Sequence, residues 1–272
     1  MINFFMHIPK TAGTTLRSIV DAQYGSRRVL TYYNQTSSAL LDNLAPYLAT
    51  KPFEAMIGHF PFGVHRAAPD GYRYYTFLRE PEPLVMSTYD ELLKGAGPTG
   101  VPQIAAEQLS LDQALDRYGA FFDNLQTRYV LGLNPGTALP ADAFEQACAR
   151  LESEFALVGI VEQFDEALIV ISKQLAWRPC IYRRMNVGSG KALGDGLRER
   201  LGAFTGVDRR LHQWATGRFA ERISGEGAEF HAALDELRRA LAKADDGKRA
   251  HYQSARIAPD ELPRVGRYLS GS

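Results

Sequence analysis

Residues 3 to 15 read Asn3-Phe4-Phe5-Met6-His7-Ile8-Pro9-Lys10-Thr11-Ala12-Gly13-Thr14-Thr15. The apolar run at the start of this stretch predicts a short buried strand that ends near Ile8 and Pro9. The small polar residues that follow predict a loop. Apolar residues then recur at helical spacing from Leu16 to Val20, so strand, loop and helix follow one another closely.

The loop in this stretch has the composition of an oxyanion-binding turn. Glycine permits unusual backbone angles, and small neighbours let backbone amides turn toward an anion at a helix start, where the helix dipole favours negative charge. Lys10 adds a mobile positive charge where a bridging oxygen would gain charge during group transfer. The residues that can form the turn are Thr11, Ala12, Gly13, Thr14 and Thr15. Taken alone, the same residues are also typical of a threonine-capped turn into a helix.

The loop is not a Walker A motif, in which the lysine follows the glycines. Here Lys10 precedes Gly13. Another lysine follows Gly188-Ser189-Gly190, but Met185 stands where the first glycine is required, and Ala192 replaces the hydroxyl residue that binds magnesium. These departures argue against a nucleoside-triphosphate site at either place.

A second anion site is indicated by Thr76-Phe77-Leu78-Arg79-Glu80-Pro81 and by Ser87 further along. Arg79 ends a predicted strand, and Ser87 lies about two turns into a helix that begins near Pro81 and runs to about Lys94. An arginine fork can contact a phosphate at two points, and a serine hydroxyl can complete the site. Each residue also has an ordinary interpretation, as a surface ion-pair arginine and a plain helix residue.

Together, the two segments resemble the paired signatures for 3′-phosphoadenosine-5′-phosphosulfate (PAPS) of the sulfotransferase superfamily. The resemblance is strongest to the carbohydrate branch that includes heparan sulfate 2-O-sulfotransferases. Three further stretches, at 57–63, 124–128 and 158–162, resemble the same branch more weakly. The resemblance therefore covers about residues 3 to 190.

The resemblance implies PAPS as co-substrate and adenosine 3′,5′-bisphosphate as product, without a metal. It implies that Lys10 contacts the sulfuryl and bridging oxygens while the turn from Thr11 to Thr15 holds the 5′-phosphate. Arg79 and Ser87 would hold the 3′-phosphate. A later loop with Arg184 and Asn186 would close over the nucleotide.

The transfer needs a group that takes a proton from the acceptor hydroxyl, and histidine suits this near neutral pH. Among six histidines, His59 is the candidate, because it ends an apolar strand before a Phe-Pro-Phe-Gly turn. The family's proposed catalytic histidine lies in a similar Gly-His segment. A buried structural histidine is the alternative interpretation, and a carboxylate base such as Glu80 or Glu82 also remains open.

Strands predicted at Ala55–Phe60, Tyr74–Leu78 and Phe155–Val161 alternate with helices, including one at Phe164–Leu175. The sequence therefore predicts an α/β fold: a P-loop-like, doubly wound, mostly parallel sheet with helices on both faces and extra C-terminal helices. One domain is expected at 1–244, followed by a loosely held tail at 245–272.

Composition narrows the function class further. The 31 basic and 31 acidic residues give zero net charge, which argues against a general nucleic-acid binder. Two cysteines make neither a disulfide framework nor a zinc site. Without a basic signal region or an apolar run long enough to span a membrane, the chain is expected to be cytoplasmic.

The sequence thus predicts an O-sulfotransferase that moves the sulfuryl group of PAPS, by in-line displacement, to a hydroxyl of an acceptor, expected to be a saccharide or glycoconjugate. Two alternatives stay open, namely an atypical nucleotide-binding phosphotransferase and a catalytically inactive PAPS-binding protein. Neutral saccharides, lipid-linked sugars and small metabolites fit the charge balance equally well, and the oligomeric state is left open.

Overall fold

The computed structural model describes residues 1–33, 44–49, 52–68, 71–95, 103–178, 180–182 and 194–246. Within these ranges, five strands form one sheet in which every neighbouring pair is parallel. In chain order the strands are β1 (Ile2–Met6), β2 (Val29–Tyr32), β3 (Ala55–Gly58), β4 (Tyr72–Leu78) and β5 (Phe155–Ile160). They lie in the order β2-β3-β1-β4-β5, so β1 is central and strands are added on both sides of it. The predicted doubly wound parallel sheet is confirmed.

Helices pack around this sheet. In chain order they are α1 (Gly13–Tyr24), α2 (Leu44–Ala49), α3 (Pro81–Leu93), α4 (Ile104–Glu107), α5 (Leu111–Phe122), α6 (Leu125–Leu131), α7 (Ala143–Glu154), α8 (Phe164–Leu175), α9 (Asp195–Ser224) and α10 (Ala228–Asp246). Helix α1 packs against β3, whereas α7, α8 and α9 pack against β5. The predicted extra C-terminal helices are α9 and α10.

Aromatic pairs join the two central strands on both faces of the sheet. Phe4 of β1 is paired with Tyr74 of β4 and stacks on it at 5.2 Å between ring centroids. The next pair, Phe5 and Tyr75, stacks in the same way at 5.1 Å. Since neighbouring residues of a strand point to opposite faces, one pair lies on each face, and all four side chains are fully buried. Burial on both faces explains why these strands read as continuous apolar runs.

The structure adds one strand that the sequence analysis missed and leaves two predicted segments wholly or partly outside its description. Strand β2 has only four residues and lies at the sheet edge. The predicted loop with Arg184 and Asn186 and the predicted tail beyond 246 lie outside the described residues. In the part of the chain that the structure covers, no helix is long and apolar enough to cross a membrane.

A buried carboxylate fixes the position of the short helix α6. Asp208 of α9 accepts hydrogen bonds from the backbone amides of Gln126 and Thr127, at 3.0 and 2.8 Å, and from the Thr127 hydroxyl at 2.7 Å. These amides belong to the first turn of α6 and have no partner within their own helix. The Gln126 side chain in turn bonds both backbone groups of Arg79, at 2.8 and 2.9 Å. Asp208 therefore supports, through α6, the end of strand β4.

We expect the Asp208→Ala variant to lose about 2–4 kcal/mol of unfolding free energy, because buried donors would be left without an acceptor. Urea denaturation of the wild type and the variant measures the loss. Asp112→Ala is the control, since the Asp112 carboxylate pairs with Arg200 at the surface and such pairs contribute at most about 1 kcal/mol. Equal losses in the two variants would contradict this account of Asp208.

Candidate active site

The loop between β1 and α1 has an unusual backbone. Lys10 and Ala12 both adopt left-handed conformations, with φ of 67° and 63°, which non-glycine residues rarely do. The Thr11 amide and hydroxyl both donate to the Ile8 carbonyl, at 3.2 and 2.8 Å, and this closes the turn. Thr11 therefore shapes the loop from within. Such strained conformations concentrate at ligand-binding sites.

Gly13 is required for space. The sequence predicts that a glycine is needed here for its conformational freedom. This prediction is wrong, because the left-handed conformations are adopted by Lys10 and Ala12. A Cβ atom on Gly13 would lie 1.9–2.0 Å from three atoms of the His7 ring. The His7 side chain thus packs directly on the first residue of α1, and no larger residue fits there.

Arg79 connects the two predicted anion sites. Its Nη1 donates to the Lys10 carbonyl at 3.0 Å, and Gln126 fixes its backbone. Among the described residues, the guanidinium has no carboxylate within ion-pair distance. Burial lowers its pKa, and the nearby charges of Glu162 and Glu80 partly offset this. The predicted alternative, a surface ion pair, is therefore not what the structure shows.

Ser87 lies on α3, one helical turn before Glu91, so the two side chains lie on the same face. Ser87 is buried, and the Glu91 carboxylate reaches the Lys10 ammonium at 3.5 Å. A hydrogen bond from Lys94 lowers the pKa of Glu91, and Lys10 lowers it further, although burial opposes both. Sequence analysis missed Glu91. No local pattern in the sequence marks it, because its partner Lys10 is 81 residues away in the chain.

Glu91 places a negative charge beside Lys10, the residue that the sequence predicts to contact an anionic nucleotide. We expect the Glu91→Gln variant to bind adenosine 3′,5′-bisphosphate about two- to fivefold more tightly, because removing a half-exposed carboxylate is worth up to about 1 kcal/mol. Isothermal titration calorimetry at low salt measures the change. Glu221→Gln, a surface substitution on α9, is the control and should leave the affinity unchanged. Weaker binding by Glu91→Gln would contradict the expected competition.

His59 follows β3 and lies at the carboxyl end of the sheet, as predicted. Its backbone amide donates to the Tyr32 carbonyl at 2.7 Å, and Gly58 leaves no room for a side chain because a Cβ would lie 1.9 Å from that carbonyl oxygen. The His59 ring lies 4.6 Å from the His7 ring and 4.8 Å from the Tyr33 ring, between centroids. Burial, with a contribution from Lys10, lowers the pKa of His59 to about 4, so the ring is neutral at pH 7.

Neither of the alternative carboxylate bases, Glu80 and Glu82, has an observed hydrogen bond or ion pair with Lys10 or His59. Glu82 pairs with Arg198 and Arg209, each at 3.4 Å. The backbone amide of Glu80 donates to Glu162, and the Glu80 side chain is exposed. The carboxylate that contacts Lys10 is Glu91.

Of the other predicted site residues, Thr15 is buried in the first turn of α1 and Thr14 is exposed. Arg184 and Asn186 lie outside the described residues. The structure thus brings together, at the carboxyl edge of the central strands, His7, Lys10, the turn to Thr15, His59, Arg79 and Glu91. In the described part of the chain, no cluster of three or more histidine, cysteine or acidic side chains has the arrangement of a metal site.

No protein-family model matches the chain. Galactose-3-O-sulfotransferase 3 of Bos taurus is 28% identical over 249 residues, which cover 82% of this chain and 58% of the bovine protein. The protein of the same name from Homo sapiens is 26% identical over 249 residues, which cover 82% of this chain and 57% of the human protein. The chain therefore spans less than two thirds of the length of these curated relatives.

Two solved structures resemble the chain more distantly. A sulfotransferase from Alicyclobacillus acidocaldarius gives a TM-score of 0.43 at 15% identity, covering 79% of this chain and 96% of that one. Mouse sulfotransferase SULT7A1 complexed with PAP gives a TM-score of 0.35 at 11% identity, covering 90% of this chain and 85% of that one. These scores are too low for a comparison of individual residues.

The central β1, the strained loop after it and the arginine after β4 define a P-loop-like α/β domain in which the two predicted anion sites lie at the strand ends. The relatives make the classification more specific. Over most of its length the chain is similar to galactose-3-O-sulfotransferases, in agreement with the resemblance to carbohydrate sulfotransferases found in the sequence.

Proposed function

We propose that this chain transfers the sulfuryl group of PAPS to a hydroxyl of a carbohydrate, with His59 as the base. The observation that carries the proposal is the hydrogen bond from the Arg79 guanidinium to the backbone carbonyl of Lys10, which ties together the two loops that carry these cationic residues. Both follow central strands, and His59 follows the neighbouring strand β3. Cationic groups and a neutral imidazole thus meet at one edge of the sheet.

The residues present fit a nucleotide with phosphate groups at both ends of its ribose. Lys10 and the amides that begin α1 suit the phosphosulfate end, because both favour negative charge. The half-buried Arg79, whose observed hydrogen bond goes to a carbonyl, suits the 3′-phosphate together with Ser87. When bound, PAPS supplies an electrophilic sulfur and a phosphate leaving group.

The protein's own groups then have defined tasks in the transfer. His59 accepts the hydroxyl proton while the acceptor oxygen forms its bond to sulfur and the bond from sulfur to the 5′-phosphate oxygen breaks. Lys10 and the α1 amides stabilise the negative charge that develops on that phosphate oxygen. The products are a sulfate ester and adenosine 3′,5′-bisphosphate, so atoms and charge balance with His59 protonated.

For the acceptor we propose a galactose-terminated glycan that is sulfated at a ring hydroxyl. The proposal is supported by the names of the relatives, which are galactose-3-O-sulfotransferases. The zero net charge of the chain fits a neutral saccharide better than a polyanionic one.

The test incubates the protein with sulfur-labelled PAPS and a panel of acceptors: a galactose-terminated disaccharide, its 3-deoxy analogue, and unsulfated heparosan. We expect label only in the first. If only heparosan were labelled, the galactose-terminated acceptor would be ruled out and a heparosan-like polysaccharide would take its place in the proposal. A thermal-shift assay in which ATP stabilises the protein more than adenosine 3′,5′-bisphosphate would instead favour a phosphotransferase, and would overturn the proposal.

A further inference from the structure

His7 has a position that the reaction described so far does not use. The residue is fully enclosed at the end of β1, with its ring packed on Gly13 on one side and lying 4.6 Å from the His59 ring on another. Its third neighbour is Tyr33, at 5.5 Å between centroids. His7 therefore lies between the anion-binding loop and the proposed base.

Neither nitrogen of His7 has a hydrogen-bond partner in the described part of the chain, and the same is true of Nε2 of His59. A neutral imidazole carries one donor and one acceptor, and burying either without a partner costs roughly 1–3 kcal/mol. A well-packed core would avoid this cost by using an apolar side chain. The presence of two neighbouring imidazoles with this cost therefore indicates that their nitrogens take part in the chemistry of the site.

Burial and nearby positive charge favour the neutral form of both rings. Burial lowers the pKa of His7 well below its usual value, and the proximity of His59 and Lys10 lowers it further. For His59, burial and Lys10 lower the pKa to about 4. Among the described residues, Tyr33 lies beside both rings, and the Arg17 guanidinium lies over the Tyr33 ring at 5.2 Å. His59 is partly exposed at the edge of the sheet whereas His7 is buried, so His59 is the ring that can reach an acceptor hydroxyl and take its proton.

We propose that His7 is the positioning residue of His59: it accepts a hydrogen bond from the His59 ring once that ring has taken the acceptor's hydroxyl proton. The inference rests on the proposed function. With centroids 4.6 Å apart, a modest ring rotation brings one nitrogen of each ring within hydrogen-bond reach. Catalytic hydrogen bonds often align only in the substrate complex. No bond to oxygen or sulfur changes at His7, and the proton remains on His59.

Two variants separate this role from packing. His7→Phe keeps a ring of similar size and removes both nitrogens, whereas His7→Asn keeps a polar acceptor and packs less well. If His7 positions His59, kcat falls in the order wild type, His7→Asn, His7→Phe, with a loss of about tenfold or more in the last. The KM for PAPS and the affinity for adenosine 3′,5′-bisphosphate stay unchanged. Any other order of kcat would overturn the proposal.

Thermal unfolding with and without adenosine 3′,5′-bisphosphate verifies that both variants fold and bind. If only one variant folds, its kcat still tests the inference. A wild-type kcat in His7→Phe would overturn it. A tenfold loss of kcat in His7→Asn would also overturn it if the KM for PAPS has risen as well. Failure of the proposed function can be told apart from failure of this inference, because in the first case the wild-type protein itself would show no turnover with any acceptor in the panel.

Discussion

Replacing His59 by alanine should reduce kcat by about 10²–10⁴-fold while leaving nucleotide binding almost unchanged. The ring lies beside His7 and Tyr33, and none of the contacts described above joins it to the residues expected to hold the phosphates. Steady-state kinetics with the galactose-terminated acceptor, together with calorimetric titration of adenosine 3′,5′-bisphosphate, measures the two effects separately. Turnover near the wild-type level would show that His59 is not the base.

Two further variants control this experiment. His59→Gln keeps a hydrogen-bonding side chain but cannot take a proton, so its kcat should be as low as that of His59→Ala. His231→Ala removes a histidine from the exposed face of α10 and should leave both kcat and nucleotide affinity unchanged. A fall in kcat for His231→Ala would point to general destabilisation as the cause.

The pH dependence of the reaction rate tests the same assignment of His59 as the base. A histidine base works only when neutral, so the rate should fall as the pH falls through its pKa. In the free protein the pKa of His59 is about 4, and kcat/KM for PAPS should fall near that pH. Bound phosphates place negative charge near the ring and favour its protonated form, which raises the pKa. The acid limb of kcat should therefore lie at higher pH than the acid limb of kcat/KM, and both limbs should be lost in His59→Gln.

The central part of the fold was predictable because its signals are local. Strands β1, β4 and β5 are continuous apolar runs, and each ends at residues that a strand does not continue through, as at Arg79-Glu80-Pro81. Strand β2 was missed because Val29–Tyr32 is short and pairs on one side only, so its pattern is weak.

The candidate site residues could be predicted only where a single short segment of sequence contains the complete motif. The loop from Lys10 to Thr15 and the pair of Arg79 and Ser87 are such segments. Glu91 was missed because its partner Lys10 is 81 residues away, and a contact of that kind depends on the sheet order. The contact between His7 and His59 could not be predicted from either segment, because it exists only since β1 and β3 are neighbours in space.

Replacing Lys10 by alanine should have the other large effect, a loss of about 10²–10³-fold in kcat, because the variant lacks the charge that we propose stabilises the leaving phosphate oxygen. Nucleotide affinity should also fall, since hydrogen bonds to charged groups contribute about 1.5–3 kcal/mol each. Lys10→Arg keeps the charge, so it should retain much of the affinity while its kcat falls, because a planar fork replaces a compact ammonium. The measurements are steady-state kinetics and calorimetric titration of adenosine 3′,5′-bisphosphate.

Lys94→Ala is the matched control for Lys10→Ala, because both ammonium groups contact the same Glu91 carboxylate, at 2.9 and 3.5 Å, and Lys94 is largely exposed. If the effect of Lys10 came only from neutralising Glu91, the two variants would lose similar activity, and that result would contradict the assignment. A second readout needs no turnover. The Lys10 charge helps to lower the pKa of His59, so in Lys10→Ala that pKa should rise above about 4, whereas in Lys94→Ala it should stay the same. Histidine titration by NMR in the nucleotide-free protein measures both, and an unchanged pKa in Lys10→Ala would place Lys10 too far from His59 to act on the same reacting group.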